Sequence, residues 1–206
     1  MSVPQKVDVY FDYACPFADS AIRWASELKK QIGDEVEFAF KFFPLEQVNA
    51  PADVEEAIWD LPRENRSAAR HSMQAGAAAL QQGNDAFDAF NLELAKLKHS
   101  EGKDHGKRAS ILEAAQRAGL NMTQFEEDLE DDDLLDIVRE HYQTGLEEHG
   151  VFGTPTFVFP SGEAVYLQLL PAPTAEEAVP LWREFVATAE GRPNYREFKR
   201  TRRPNR

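Results

Sequence analysis

The chain contains a single cysteine, Cys15, in the run Ala14-Cys15-Pro16-Phe17-Ala18. It stands between an aromatic, β-branched stretch, Val7–Tyr13, and a helical pattern, so it falls at a strand-to-helix junction. A thiol there sits against unpaired backbone N–H groups and the positive end of a helix dipole, and both favour the nucleophilic thiolate. The second motif is Gly150-Val151-Phe152-Gly153-Thr154-Pro155-Thr156-Phe157. A proline just ahead of a strand, preceded by glycines and a threonine, suits a cis peptide bond. Such a loop leaves a backbone edge free to pair with an extended peptide or a thiol ligand. The competing reading of Cys15 is a small apolar residue buried for packing alone. Its place at a helix start and the proline loop point the other way.

Other chemistries lack their residues. One cysteine excludes intramolecular disulfides and all-cysteine metal sites. The five histidines (His71, His99, His105, His141, His149) show no metal-binding spacing, and no HExxH occurs, so no metal is expected. Eight of the eleven residues from Glu126 to Asp136 are acidic, without the alternation and glycine of a calcium loop. There is no Gly-rich phosphate loop and no Ser-His-Asp signature. A formal charge of −13 over 206 residues argues against binding of nucleic acid or anionic lipid by the body of the protein. No stretch approaches the ~18 apolar residues of a membrane span. Met1–Lys6 has no basic start followed by an apolar block. A cytoplasmic protein, with no nucleic-acid or membrane partner, is the expectation.

The elements that must position Cys15 and Pro155 can be read from periodicity. Val7–Tyr13 reads as a strand, and Ile22, Ala25, Leu28 and Ile32 mark a helix ended by Gly33, with Pro16 in its first turn. Val36–Phe42 is a second strand, ended by Pro44. From about Val48 to Gly150 the pattern is helical: Ala52–Leu61, Arg66–Gln82, Ala86–Leu97, Lys107–Ala118, Thr123–Leu129 with a capping-type start, and Leu134–His149. Strand character returns at Thr156–Phe159 and Ala164–Leu170 around a Pro160-Ser161-Gly162 turn, a hairpin, and a last helix covers about Ala175–Glu190. Without the helical block the order is β-α-β followed by β-β-α. Residues 191–206 carry seven basic residues and one acid, leaving −19 on residues 1–190. That tail is expected to be a loose solvated segment, beside a solvated acidic helix face, or to lie on an acidic surface of its own subunit or a twin in a homodimer.

Tyr13-Ala14-Cys15-Pro16-Phe17, the Gly153-Thr154-Pro155-Thr156-Phe157 loop and the helical block between them resemble the DsbA-like branch of the thioredoxin superfamily. The segment Ala118-Gly119-Leu120, Phe125, Leu129 leading into Gly150–Pro155 is similar to that branch as well. The resemblance covers residues 6–190 and is nearest to FrnE-like and 2-hydroxychromene-2-carboxylate isomerase-like members. It implies a thioredoxin-like α/β core, residues 6–47 and 151–190, with an inserted α-helical domain, 48–150, that caps the Cys15 face and shapes a cleft. By the same resemblance Cys15 matches the nucleophile of the CxxC motif, and Thr154-Pro155 the cis-proline loop that receives substrate. Pro16 and Phe17 then shape the helix start, and Phe17, Trp59 and Phe152 are candidates to line an apolar groove.

Ala18 departs from the pattern, because the resolving cysteine of the motif should stand there. A mixed disulfide on Cys15 then needs an outside thiol for release, glutathione or another low-molecular-weight thiol acting as co-substrate with no bound cofactor. The leading expectation is a monothiol thiol–disulfide oxidoreductase acting on a small thiol or disulfide, or on a protein thiol. The alternative is a glutathione-dependent isomerase or kappa-class transferase in which Cys15 replaces the usual serine. Those relatives carry a Trp-Gly-x-Asp-Arg segment where this chain has Tyr166-Leu167-Gln168-Leu169-Leu170-Pro171. The rival of a different class is a non-catalytic binding protein on the same fold.

Overall fold

The computed structural model describes residues 4–51, 53, 54 and 56–197. Strand β1 (Gln5–Phe11), helix α1 (Pro16–Ile32) and strand β2 (Val36–Phe42) form a β-α-β unit with parallel strands. Helices α2 (Leu45–Val48), α3 (Ala68–Leu80), α4 (Asn84–His99), α5 (Arg108–Arg117), α6 (Met122–Asp128) and α7 (Leu135–His149) follow, with a 3₁₀ turn at Asp132–Leu134. Strands β3 (Thr156–Val158) and β4 (Ala164–Tyr166) and helix α8 (Ala175–Ala189) end the fold. The sheet order is β2-β1-β3-β4, and β3 runs antiparallel to both β1 and β4.

One face of β1, Val7, Val9 and Phe11, is fully covered, while the other runs from exposed Lys6 through half-buried Asp8 to buried Tyr10. Val7, Val9 and Phe11 enter the main core, while Tyr10 joins Phe43, Val151 and Val158 in a smaller one. The main core also takes in Trp24, Leu28, Phe90, Leu94, Phe125 and Val138, so strands and helices from both sides of β2 share it. The Trp24 indole donates to Ala178 O at 2.9 Å and its ring meets Trp182 edge-on at 5.7 Å, fixing α1 against α8. An edge-on aromatic pair adds about 0.5–1.5 kcal/mol beyond its burial.

Two glycines set how closely the helical block approaches the strand that leads to Cys15. A Cβ on Gly76 of α3 would lie 2.6 Å from Tyr13 Oη and 2.7 Å from Phe42 Cε1. A Cβ on Gly145 of α7 would lie 2.6 Å from Tyr10 Cε1. None of these three aromatic side chains could keep its place against a larger residue.

Several elements differ from the sequence expectation. The described part of Ala52–Leu61 is turn rather than helix, with Val54 N bonded to Pro51 O and Asp60 N to Ala57 O. The stretch is too short to nucleate a helix alone. Ile58 N donates instead to Gln47 Oε1 at 2.9 Å. α6 starts one residue earlier than Thr123, capped by Asn121, whose side chain accepts from Gln124 N. β4 stops at Tyr166 rather than Leu170, because its partner β3 is preceded by Pro155, which has no N–H to extend the ladder. The acidic run is not one solvated helix face. It spans the end of α6, the 3₁₀ turn and the start of α7, and Asp132 accepts from the buried Arg70 at 2.9 Å. Of the basic tail, residues 198–206 lie outside the described residues. No helix of the described residues is long and apolar enough to cross a membrane.

Candidate active site around Cys15

β1 ends at Phe11, and Asp12 makes the turn that presents Cys15. Cys15 N donates to Asp12 O at 3.1 Å and Ala14 N to Asp12 Oδ1 at 2.7 Å. The other carboxylate oxygen accepts from Leu45 N at 2.6 Å, so one buried side chain ties the cysteine turn to the segment after β2. Burial raises the Asp12 pKa above the ordinary carboxyl range; the two backbone donors oppose this, Glu46 adds to it and His99 subtracts. Tyr13 is held from the helical side: its hydroxyl donates to Asn91 Oδ1, and its carbonyl lies 2.8 Å from His99 Nε2. Burial, then Asp12, hold the Tyr13 hydroxyl well above its usual range, so it stays a donor.

Cys15 is the N-cap of α1, with Pro16 at the first helical position, as the sequence predicts. The expected contact between thiol and helix N–H groups is not made. Pro16 has no N–H to offer. Sγ turns the other way and donates to Thr154 O at 3.3 Å. The two motifs, 139 residues apart in sequence, therefore meet at one hydrogen bond. Cys15 is 6% exposed, Ala18 is fully buried one turn on, Phe17 is half-buried and Pro16 is exposed.

On the opposite side the Thr154–Pro155 peptide is cis. Thr154 is buried, yet its Oγ1 has no hydrogen-bond partner among the described residues. Thr156 Oγ1 donates to Gly153 O at 2.8 Å and pins the loop. Phe152 is 68% exposed and packs on Tyr166, ring centroids 5.0 Å apart. Trp59 does not join this side; it packs on Tyr142 at 5.3 Å.

Sequence reasoning missed Asp12 and Tyr166. Tyr166 stands opposite Thr156 in the β3–β4 ladder, and a Cβ on Gly153 would meet its ring at 3.3 Å. Burial, then the charge of Cys15, push its hydroxyl up. The strand alternation of β4 is the signal that could have placed it, counted from Thr156. Among the described residues no group of three or more His, Cys, Asp or Glu side chains is placed to hold a metal ion. Hollows of 360 Å³ on α7 and 240 Å³ beside Arg63, His71 and Arg108 include none of these site residues.

A cysteine at the start of the helix after the first strand, meeting a cis-proline loop at the start of a later strand, defines a thioredoxin-type site. The family model of the DSBA-like thioredoxin domain matches residues 6–174, and the chain belongs to that family. An uncharacterized protein of Mycobacterium tuberculosis, Rv2286c, is 26% identical over 199 residues, covering 96% of this chain and 83% of that one. Among solved structures, 2-hydroxychromene-2-carboxylate isomerase has a TM-score of 0.63 at 17% identity, covering 90% of this chain and 97% of the other. MdbA, a thiol-disulfide oxidoreductase from Actinomyces oris, has a TM-score of 0.61 at 18% identity, covering 87% and 80%. These structural likenesses establish the fold, a mixed α/β thioredoxin-like architecture.

Proposed function

We propose that the protein is a monothiol thiol–disulfide oxidoreductase acting through Cys15. The observation that carries this reading is the placement of the only thiol at a helix N-terminus, 3.3 Å from the carbonyl of Thr154 in the cis-proline loop. The Cys15 thiolate attacks one sulfur of a disulfide; a Cys15–S bond forms, the substrate S–S bond breaks, and its electron pair leaves on the second sulfur. With Ala18 at the next turn of the helix there is no internal thiol to close the cycle. An outside low-molecular-weight thiol attacks the mixed disulfide, releases a new disulfide and returns Cys15 as thiolate. Thr154 and Pro155 supply the backbone edge for the partner, and Pro16 and Phe17 form its rim. The partner is a small thiol or disulfide, or a protein thiol. The cytoplasm, where such thiols are kept reduced, is the compartment this cycle needs.

The fold shared with 2-hydroxychromene-2-carboxylate isomerase favours a second reading, a thiol-dependent isomerase or transferase in which Thr154 holds a thiol cofactor. Treatment of the reduced chain with glutathione disulfide separates the readings. Monothiol exchange predicts one glutathionyl adduct by mass, on Cys15, cleared by excess thiol and absent from Cys15→Ser. An activity that survives Cys15→Ser supports the isomerase or transferase. A Cys15 that takes up no adduct, with no activity in either the wild type or Cys15→Ser, leaves a binding protein.

A further inference from the structure

The exchange reaction has a leaving sulfur, and none of the residues assigned so far receives it. Cys15 attacks, and Thr154 and Pro155 hold the incoming partner. Negative charge grows on the departing sulfur as the S–S bond breaks, and a donor at that point lowers the barrier. Tyr166 is placed to supply it. Its ring lies against Gly153, the residue before the one that accepts the Cys15 hydrogen bond. Leu167 N, the next residue, donates to Pro155 O at 3.3 Å, which locks this end of β4 to the cis-proline loop. Phe152 covers one side of the ring.

The hydroxyl is oriented as well as placed. Gln168 Nε2 donates to Tyr166 Oη, so an oxygen lone pair is already used. The O–H proton points elsewhere, and no acceptor for it exists among the described residues. Tyr166 is 37% exposed, so an incoming molecule can reach it. Burial, then Cys15 once it is ionised, raise this hydroxyl, so it stays protonated. A protonated hydroxyl, free to donate and held against the loop whose next residue meets the nucleophile, is the equipment the leaving sulfur requires.

We infer that Tyr166, held by Gln168, donates a hydrogen bond to the departing sulfur when Cys15 opens a disulfide. Cys15 is oxidised to the mixed disulfide and the departing sulfur is reduced to a thiolate, which takes its proton from water after release. Tyr166 keeps its own proton throughout. The inference rests on the exchange reading above.

The test compares wild type, Tyr166→Phe and Gln168→Ala on mixed disulfides that share one half. Their leaving thiols run from a strongly acidic nitrothiophenol to a weakly acidic alkyl thiol. A good leaving group needs little help, whereas a poor one needs the donor. Tyr166→Phe is expected to slow the alkyl-thiol disulfide about tenfold and the nitrothiophenol disulfide less than twofold, with Gln168→Ala falling between them. Alkylation of Cys15 by iodoacetamide, which expels no sulfur, is expected to be equal in all three. Equal slowing across the series, or none, overturns the role of Tyr166 and leaves the exchange reading standing. Wild type that opens none of these disulfides overturns both.

Discussion

The Cys15 side of the site and the Pro155 side differ in how their polar groups are satisfied. On the first, both Asp12 oxygens accept backbone N–H bonds and Tyr13 is held at its hydroxyl and its carbonyl. On the second, Thr154 Oγ1 has no hydrogen-bond partner among the described residues, Tyr166 Oη accepts from Gln168 but its own proton meets no acceptor there, and Phe152 stands 68% exposed. A buried polar group without a partner costs about 1–3 kcal/mol, so unpaired groups are rare without a reason. The fold spends most of its hydrogen bonds here on the turn that carries the nucleophile, where Asn91 Nδ2 behind Tyr13 is nonetheless unpartnered among the described residues, and leaves the facing loop with bonds still to make. A partner that docks there can supply them.

The largest expected effect falls on the fixed side. Asp12→Ala strips the acceptor from the N–H groups of Ala14 and Leu45 together and leaves a gap under the turn. We expect a loss of about 3 kcal/mol by urea unfolding, with a faster reaction of Cys15 with iodoacetamide as the turn loosens. Asp12→Asn keeps one acceptor and is expected to lose about half as much. A stable Asp12→Ala protein with unchanged thiol reactivity would mean that packing of Tyr13, rather than the carboxylate, fixes the nucleophile.

Much of this arrangement was legible in the sequence wherever local pattern decides it. Ile22, Ala25, Leu28 and Ile32 announce α1, and Pro16 marks its first turn, because a buried helix stripe repeats along the chain. Cys15 and Thr154-Pro155 could be named because junction residues carry their own signature. What the sequence hid depends on partners far along the chain. Asp12 reads as the next residue of a strand until Leu45 is seen to bond it. The direction of Sγ, towards Thr154 rather than the helix, is set by where β3 lies. Helix periodicity misled at Ala52–Leu61, where Ile58 is buried but its N–H is taken by Gln47. Tyr166 was passed over because a tyrosine in a short strand has nothing local to distinguish it.

The helical block has a weak point in acid. His105 is 5% exposed with both ring nitrogens unpartnered among the described residues, and burial, then Lys98, lower it to about 4. His141 is stacked on Phe42 and lowered to about 4 by burial, then by Lys41. An unfolded histidine titrates near 6.5, so below that value the unfolded chain takes up protons the folded one refuses. Stability from these residues is full above about pH 6.5 and drains away as pH falls towards 4. Asp12 runs the opposite way, since its raised folded value favours folding while it is protonated and loses that benefit as pH rises. We expect the urea midpoint to drop steeply between pH 6.5 and 4, on the order of 2 kcal/mol for each histidine after solvent screening. His105→Leu should flatten part of that slope. A slope unchanged in this variant would place the acid sensitivity elsewhere.

The smallest effect tests the open side. Thr154→Val keeps the branched shape and replaces an unpartnered hydroxyl with a methyl group, so nothing in the free protein loses a bond. We expect a gain of up to about 1 kcal/mol in unfolding free energy. Exchange should move the other way, with a higher KM for a small disulfide, because the partner loses a group left for it. The opposite signs are the point of the experiment: a residue that only packs would move stability and exchange together. If Thr154→Val instead destabilises the chain by about 1 kcal/mol or more, the hydroxyl is already satisfied in the free protein. The loop facing Cys15 would then be as closed as the turn that carries it, and the contrast between the two sides would rest on Tyr166 and Phe152 alone.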